Sequence, residues 1–559
     1  MSTKQSVEFK LFAPNVTQVS LLGTFSQWQP IPMQKSENDD GYFRTKIGLE
    51  DGQYEYTFRV KPVDDEKNDL VDIIDPYATA IDPTKNVGLV TIVQGKRQVD
   101  SYQWQHDGNN ELLPQNNDLI IYEIFVADFT EGGTFNDIVP KLDYLCSELG
   151  VNCIELMPVS ECGEGHDWGY ATRHFFSVQT TYGKSEDLKH LIDECHKRKM
   201  RVMIDAVFNH CHVECPLRKI DKFYWFYKDP HHPDHPDELW GPEFNYAYED
   251  ERLKLKPAWN FIWDVIEYWT SEFHIDGWRF DAVKQIESHD VLRYFDEKSK
   301  QLVSSTKKPF FNVGEYMPAT YEIVKPNGPL DCVWRNIVPH IEEQFKMNNF
   351  EVDKLKQALN PKETERYEHS SQVIIYFASH DNERLMTVMG NMGLFGDEAL
   401  RRIKLAATLQ LTAMGIPMIF MGDEFGEYKA QGTENKSKTV NKLEWSLLQN
   451  ELNHSLFDTY RTLIELRKRS QAIRGDNIEF FHVNQDSKVL AYIRWTNEGE
   501  RVVVVANFSR DYHRGYRVTQ WPAEGKWHEL MFNYDIEAPN DGPLIDLDGY
   551  ICKVFLYVA

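Results

Sequence analysis

Hydrophobic and polar residues alternate in short segments through the first part of the chain. Four segments place apolar or aromatic residues at every second position between turns: SVEFKLFAP, QVSLLGTF, GYFRTKIGL and GQYEYTFRV. A period of two is typical of strands with one buried face. The pattern predicts a small β-sandwich over residues 1–105. Trp28, in the segment GTFSQW, is expected to fill its core.

From Leu119 the pattern changes to apolar strands that alternate with amphipathic helices such as KSEDLKHLIDECHKRKM and ALRRIKLAATLQLTAMG. The predicted strands are LIIYEIF (119–125), CIELMPV (153–159), RVMIDAVF (201–208), GWRFDA (277–282), FFNVGE (310–315), DCVWRN (331–336), VIIYFAS (373–379) and MIFMG (418–422). Near-continuous apolar strands joined by helices indicate a parallel sheet buried on both faces. Eight of them predict a (β/α)₈ TIM barrel over residues 106–473, with a short insertion at about 211–250. An open doubly wound sheet is the alternative, but no GxGxxG or GxxxxGK[ST] motif follows a strand.

Beyond residue 474 the helical pattern stops. The segments KVLAYIRWTN, RVVVVANFS and YICKVFLYVA predict antiparallel strands of a C-terminal β-domain over residues 474–559. The predicted fold is therefore of the α/β class: a TIM barrel flanked by an N-terminal β-sandwich and a C-terminal antiparallel β-domain.

The net charge indicates which classes of partner the protein can bind. At −26, the formal charge disfavours nucleic acid and membrane surfaces, since both require clustered Lys and Arg. A neutral substrate is more compatible with such a chain. We find no apolar segment near the roughly 20 residues of a membrane span and no signal-peptide pattern. The eight cysteines have no framework spacing, so reduced thiols and a cytoplasmic location are expected.

Ionisable residues lie where the predicted barrel strands end. In HIDGWRFDAVKQ (274–285), Arg279 and Asp281 are two residues apart and should share one face, opposite Trp278 and Phe280. The third strand contains Asp205 near its end and is followed by His210. The fifth strand ends in Glu315, and the seventh is followed by His380 and Asp381. Active sites of such barrels lie at the C-terminal ends of the strands. We therefore expect three carboxylates to converge with an arginine and two histidines.

A single Asp after a strand is more often a helix N-cap than a catalytic group. Several charges at one rim, however, would destabilise the fold without a functional role. Glycoside cleavage requires one ionised and one protonated carboxyl group. We expect Arg279 to lower the pKa of Asp281, which suits a nucleophile, and burial to raise that of Glu315, which suits a general acid. Metal-dependent hydrolysis is disfavoured, because no HxH or HExxH spacing is present.

These residues lie in short blocks that resemble the α-amylase family, glycoside hydrolase family 13. The blocks are DAVFNH (205–210), GWRFDAVK (277–284), GEY (314–316), FASHDN (377–382) and GIPMIFMGDEFG (415–426). The N-terminal segment FKLFAPNVTQVSLLGTFSQWQPIPM is similar to family 48 carbohydrate-binding modules. Together the blocks are highly specific, although each one alone is weak.

The resemblance implies roles for individual residues. Asp281 matches the nucleophile, Glu315 the general acid/base and Asp381 the third carboxylate, which supports the transition state. The substrate-binding residues implied are Tyr170, Asp205, His210, Arg279, Lys284 and His380. Arg279 would orient the nucleophile, the two histidines would contact the sugar, and Tyr170 would stack beneath it. Lys284 resembles a lysine that reaches a plus subsite.

No cofactor is predicted. Gln285 stands where many α-amylases have a histidine whose carbonyl binds calcium, and the insertion at 211–250 is short. We therefore expect no structural calcium. The segment HCHVEC (210–215) also lacks the second ligand pair of a zinc site.

The fold leaves hydrolysis and glycosyl transfer open. DAVFNH, Lys284 and GEY favour a retaining hydrolase of α-1,4 bonds in glycogen, starch or maltooligosaccharides, with an α-glucan as the expected partner. The N-terminal module and MGDEFGEY are also features of branching enzymes, which form the second hypothesis. A trehalose-releasing or α-1,6-debranching hydrolase is the third. An inactive glucan-binding protein is disfavoured, because all three carboxylates are present.

Overall fold

The computed structural model describes residues 4–63, 69–162, 168–231, 238–346, 350–429 and 441–558. Within them, N-terminal antiparallel sheets, a closed barrel of eight parallel strands and a C-terminal antiparallel sheet follow one another. The predicted fold class is confirmed. The insertion at 211–250 is described except for residues 232–237.

The N-terminal module consists of two antiparallel sheets, ordered β1-β5-β4 and β10-β9-β6-β2-β3, with β7 beside β6 and β8 beside β9. The strands β1–β10 are Gln5–Phe12, Val19–Gly23, Ile31–Pro32, Gln34–Lys35, Tyr42–Leu49, Gly52–Val60, Val71–Ile73, Ile81–Asp82, Val87–Val93 and Lys96–Gln98. Alternate residues such as Phe9 and Phe58 are fully buried, as the period of two predicts. Trp28 is 38% exposed, so its interpretation as a core residue was wrong. Its backbone has φ +61°, at the turn after β2, which carries the side chain out of the sandwich.

The eight predicted barrel strands all form, in the predicted order. They are β11 Ile121–Ile124, β12 Cys153–Leu156, β15 Arg201–Ala206, β16 Gly277–Phe280, β17 Phe311–Gly314, β18 Cys332–Asn336, β19 Val373–Tyr376 and β20 Ile416–Phe420. Nearly every residue in them is buried, because helices cover the outer face and side chains fill the interior. A side pair, β13 Ser160–Cys162 and β14 Thr172–Val178, follows β12.

Helices connect these strands and cover the barrel. Their ranges are α1 Val126–Phe129, α2 Phe135–Ile138, α3 Ser185–Lys197, α4 Pro216–Ile220, α5 Pro257–Glu272, α6 Val283–Ile286, α7 His289–Val303, α8 Val338–Lys346, α9 Val352–Leu359, α10 Pro361–Glu365, α11 Leu385–Asn391, α12 Gly396–Thr412, α13 Glu451–Arg469 and α14 Gln471–Arg474. In α3 the buried residues Leu188, Leu191, Ile192 and Cys195 recur every three to four positions, which gives one apolar stripe against the barrel. None of the helices in the described part of the chain is long and apolar enough to cross a membrane.

The C-terminal domain is a six-stranded antiparallel sheet ordered β21-β22-β23-β28-β25-β26, with a separate pair β24-β27. The strands β21–β28 are Ile478–Asn484, Val489–Trp495, Arg501–Asn507, His513–Arg517, Gly525–Glu529, Tyr534–Ala538, Leu544–Leu547 and Ile551–Tyr557. The three strands predicted from the sequence form the adjacent members β22, β23 and β28.

Candidate active site

The centre of the site is the guanidinium of Arg279, which is fully buried in β16. Its Nη1 donates to Asp205 Oδ1 at 2.8 Å and to Asp281 Oδ1 at 2.7 Å. Its Nη2 forms an ion pair with Glu315 Oε2 at 3.1 Å. One cation therefore joins carboxylates carried by three neighbouring strands at their C-terminal ends.

The parallel register brings these groups together. Asp205 lies directly opposite Arg279 across β15 and β16. The backbone N–H of Asp281 donates to Ala206 O at 3.0 Å, which extends this pairing past the end of β16. Ala282 then turns the chain with a left-handed φ of +49°, and its N–H donates to Glu315 Oε2 at 2.9 Å. Asp281 and Glu315 are thus held by backbone as well as by the arginine.

His380 connects the seventh strand to the first. Its Nδ1 lies 2.6 Å from Glu123 Oε1, and its backbone N–H donates to Glu123 Oε2 at 3.2 Å. Its Nε2 lies 3.2 Å from Asp381 Oδ2. The imidazole therefore bridges a buried carboxylate of β11 and the half-exposed Asp381 at the barrel mouth.

Tyr170 covers the site from the loop before β14. Its ring stacks on that of His380 with centroids 5.0 Å apart, and its hydroxyl donates a short hydrogen bond to Asp205. His210 Nε2 lies 2.9 Å from the backbone oxygen of Tyr170. Tyr170 and His210, which were both predicted to contact the sugar, therefore lie next to the carboxylate cluster.

Lys284 is the predicted site residue that the structure places at the rim. It lies on α6, and its Nζ forms an ion pair with Glu238 Oε1 at 3.3 Å. Gln285 Nε2 donates to the other oxygen of Glu238 at 2.9 Å. Glu238 belongs to the insertion after β15, so these contacts tie the insertion to the loop that follows Asp281. No group of three or more His, Cys, Asp and Glu side chains in the described ranges is arranged to hold a metal ion.

The pKa of Asp281 differs from the value expected from the sequence. Burial raises the pKa of Asp281 well above its usual value, and Glu315 and Asp205 act in the same direction. The charge of Arg279 acts against them, as predicted, but it is shared among three carboxylates. The expected low net pKa of Asp281 was therefore wrong in the ligand-free protein. Burial of Asp281 thus outweighs the single shared arginine.

His380 is protonated in this arrangement. Burial opposes its charge, but Asp381 and Glu123 on either side raise its pKa well above the usual value. Burial likewise opposes the charge of Asp381, yet His380 and Arg279 lower the pKa of Asp381 to about 2. His210, by contrast, is neutral, because burial lowers its pKa to about 4. The mouth of the barrel thus carries an ionised carboxylate beside an imidazolium.

Three interior residues were not among the candidates from the sequence. Glu123 holds His380, Glu155 lies beside Glu123 in the next strand, and the ring of Trp334 lies 4.3 Å below the Arg279 guanidinium. The signal for the two glutamates was present in the sequence, since each interrupts an apolar segment, YEIF and IELM. A charge inside a buried strand points into the barrel interior.

Comparison with known proteins agrees with this geometry. Residues 100–240 and 242–450 match the family model described as alpha amylase, catalytic domain. Residues 1–78 match carbohydrate-binding module 48, the isoamylase N-terminal domain. Residues 482–550 match the alpha amylase C-terminal all-beta domain.

Individual relatives carry several names. The malto-oligosyltrehalose trehalohydrolase of Saccharolobus solfataricus is 27% identical over 67% of this chain and 73% of the relative. The cyclomaltodextrinase of Geobacillus thermopakistaniensis is 31% identical over 68% and 63% of the two chains. The 1,4-alpha-glucan branching enzyme of Oceanobacillus iheyensis is 24% identical over 95% and 86%.

The fold is also found in solved structures. Pullulanase type I from Bacillus subtilis in complex with maltose superposes with a TM-score of 0.79 at 20% identity, over 100% of this chain and 85% of that one. The catalytic-domain match covers more than half of the chain. The protein therefore belongs to the α-amylase family of glycoside hydrolases and transglycosylases.

Proposed function

We propose that the protein is a retaining α-glucan hydrolase that cleaves α-1,4-glucosidic bonds of glycogen, starch or maltooligosaccharides. The observation that carries the proposal is the shared guanidinium of Arg279, which contacts Asp281 through Nη1 and Glu315 through Nη2. Retaining glycosidases need two carboxyl groups roughly 5–5.5 Å apart, one to attack and one to donate a proton. Two carboxylates on one guanidinium suit that requirement.

In the proposed mechanism Asp281 attacks the anomeric carbon while Glu315 gives its proton to the leaving oxygen. The glycosidic bond breaks and an ester forms between Asp281 and the sugar. Glu315, now ionised, takes a proton from water, which attacks the same carbon and releases Asp281. Arg279, which contacts Asp281 at 2.7 Å and Glu315 at 3.1 Å, holds the two carboxyl groups in position for these roles. The reaction uses only carboxyl groups of the chain and water, so we propose no cofactor.

The remaining predicted residues would bind the sugar. Asp381 is ionised and half-exposed, so it can accept hydrogen bonds from sugar hydroxyls and stabilise positive charge on the anomeric carbon. The Tyr170 ring offers a flat apolar face. Lys284, at the rim, is assigned to a plus subsite.

The branching reaction is the second candidate. It shares the first step, and the branching enzyme of Oceanobacillus iheyensis aligns over 95% of this chain, which includes the N-terminal module. A sugar hydroxyl would then replace water in the second step. Trehalose release and debranching follow as third candidates, since relatives and structural neighbours include a trehalohydrolase and pullulanases.

Incubation of the protein with amylose distinguishes these candidate reactions. We expect new reducing ends, a fading iodine colour and no new α-1,6 signals in the NMR spectrum. Loss of iodine colour without reducing ends, but with α-1,6 signals, would replace the hydrolase with a branching enzyme. Trehalose as a product, or activity confined to pullulan, would support the third group. Asp281→Asn serves as the control, and binding without any turnover by the unsubstituted protein would indicate an inactive glucan-binding protein.

A further inference from the structure

The ring of Trp334 lies against the guanidinium at the centre of the site. Trp334 is a residue of β18, and its ring centroid is 4.3 Å from Arg279 Cζ. The ring of Tyr170 is farther from the same atom, at 5.8 Å. Separations below about 6 Å allow a cation–π interaction, which is strongest with tryptophan and in desolvated surroundings. Trp334 is therefore the close aromatic partner of this buried cation.

The hydrogen bonds of Arg279 are concentrated at one end of its guanidinium. Nη1 donates to both oxygens of Asp205, at 2.8 and 2.9 Å, and to Asp281 Oδ1 at 2.7 Å. Nη2 is 3.1 Å from Glu315 Oε2. Among the described residues, Nε has no hydrogen-bond acceptor. Contacts at one end leave the guanidinium plane able to tilt about that end, and a flat ring against its face restricts this motion.

The Trp334 ring is itself fixed by its neighbours. The ring of Tyr376, on β19, packs against it with centroids 5.1 Å apart, and that of His380 with centroids 6.0 Å apart. Other residues of the barrel interior, among them Phe311 and Met418, complete the same apolar cluster. A side chain packed at this density keeps one orientation. Trp334 can therefore act as a rigid support for the guanidinium.

Trp334 is hidden from the mouth of the barrel. Its exposed fraction is 0%, whereas that of Asp281 is 8%. Its indole Nε1 has no hydrogen-bond partner in the part of the chain that the structure describes. Any influence of Trp334 on a reaction must therefore pass through the groups that it touches, and the closest charged one is Arg279.

We propose that Trp334 is a positioning residue, which holds the Arg279 guanidinium in the orientation that Asp281 and Glu315 require. This proposal rests on the proposed function, because that function assigns the two carboxyl groups to the reaction. A tilt of the guanidinium alters its contacts with Asp281 and Glu315 unequally, since they lie on different nitrogens. A displacement of about 1 Å in a catalytic site can lower a rate about a hundredfold.

Replacement of the ring tests this role. Trp334→Leu removes the aromatic face and keeps an apolar side chain, whereas Trp334→Phe keeps an aromatic face. The matched control is Trp278, which precedes Arg279 on β16 and points to the opposite side of the strand. It is 2% exposed, its Nε1 also lacks a hydrogen-bond partner among the described residues, and its ring packs against Phe208. Trp278→Leu therefore removes a buried tryptophan of the same size from the helix-facing side.

Kinetic constants with amylose measure the effect of each substitution. We expect Trp334→Leu to lower kcat about thirtyfold, the loss that corresponds to a desolvated cation–π contact, with KM within about twofold of the parent's. Trp334→Phe and Trp278→Leu should keep kcat within about threefold of the parent's. Circular dichroism and thermal unfolding show that each variant is folded at the temperature of the assay.

The pH dependence distinguishes positioning from a loss of stability. Burial raises the pKa of Asp281, and Arg279 opposes this effect. A displaced guanidinium lets that pKa rise further, so the acidic limb of the kcat/KM profile should move to higher pH in Trp334→Leu. The other charged groups that face Asp281 all raise its pKa and are unchanged in this variant: Glu315, Asp205 and Asp381. A lower stability alone, as expected for Trp278→Leu, leaves both limbs in place.

Three results would overturn the proposal. One is a parental kcat and a parental acidic limb in Trp334→Leu. The second is a loss of activity in Trp334→Phe as large as that in Trp334→Leu, since the aromatic face would then have no role. The third is an equal shift of the acidic limb in Trp278→Leu. If Trp334→Leu does not fold, Trp334→Met, whose flexible side chain fills more of the space, replaces it under the same criteria.

Crystal structures of the parent and of Trp334→Leu separate this proposal from the proposed function. A guanidinium at its parental distances from Asp281 and Glu315 overturns the positioning role, whether or not the parent is active. A displaced guanidinium, with a parent that releases no product from any α-glucan, supports the positioning role and overturns the proposed function. A parent that hydrolyses amylose, with a Trp334→Leu variant equal to it in kcat and pH profile, overturns the positioning role and leaves the proposed function in place.

Discussion

Glu155 and Glu123 form a matched pair for testing the electrostatics of the barrel interior. They are directly opposite on β12 and β11, and both are 1% exposed or less. Glu123 contacts His380 through both of its oxygens. Neither oxygen of Glu155 accepts a hydrogen bond from the part of the chain that the structure describes. The same substitution, to Gln, should therefore have opposite effects at the two positions.

The expected change in the free energy of unfolding for Glu155→Gln follows from proton linkage. Burial, together with Glu123 and Asp205, raises the pKa of Glu155 well above its usual value, so the folded protein keeps this carboxyl neutral. In the unfolded chain it ionises above a pKa of about 4.3, so unfolding becomes more favourable by about 1.4 kcal/mol for each pH unit above that value. At pH 7 this amounts to about 4 kcal/mol. Glutamine has the same shape and does not titrate, so Glu155→Gln should stabilise the protein by about 4 kcal/mol at pH 7, and by little near pH 4.5.

Glu123→Gln removes one partner of a buried ionic contact. The charge of His380 then keeps only Asp381, which is half-exposed and screened by water. Removal of one partner from a buried pair typically costs about 3–5 kcal/mol. Glu123→Gln should therefore destabilise the protein at pH 7, where the imidazole is charged.

Urea unfolding of the parent and both variants at pH 4.5, 5.5 and 7 measures these differences. Tryptophan fluorescence reports on the barrel, since Trp278 and Trp334 are buried in it. The reasoning is refuted if Glu155→Gln destabilises the protein at pH 7, or if its effect does not change with pH. Either result would mean that Glu155 is ionised in the folded protein.

Three further substitutions, together with the activity of Glu123→Gln, test the assignment of the site. Asp281→Asn should lower kcat by about 10⁴-fold or more with an unchanged circular dichroism spectrum, and substantial remaining activity would contradict its role as nucleophile. Tyr170→Phe keeps the stacked ring but loses the hydrogen bond to Asp205, so kcat should fall by about tenfold, whereas an unchanged kcat would leave the hydroxyl without a role. Lys284→Ala should raise KM several-fold with kcat nearly constant, because it removes a rim contact; a large fall in kcat would place it at the reacting bond. Glu123→Gln removes one of the two carboxylates that raise the pKa of His380, so the alkaline limb of the kcat/KM profile should move to lower pH, and a move to higher pH would contradict the pairing.

The pattern of apolar residues along the chain was sufficient to predict the eight barrel strands. Each of the eight segments is apolar enough to be buried on both faces, and local sequence decides that property. The spacing of Arg279 and Asp281 likewise places both on one side of the strand, where they form an ion pair at 2.7 Å. Trp28 shows the limit of such patterns, since a left-handed turn residue, invisible in the alternation, carries its ring to the surface.

The sequence by itself thus determined which strands form and which of their residues face the interior, because backbone periodicity and burial are local properties. The tertiary structure decided which charges meet. Glu123 and His380 are 257 positions apart, and only closure of the barrel brings them to 2.6 Å. It also decided the net pKa of Asp281, since one arginine is divided among three carboxylates from three strands.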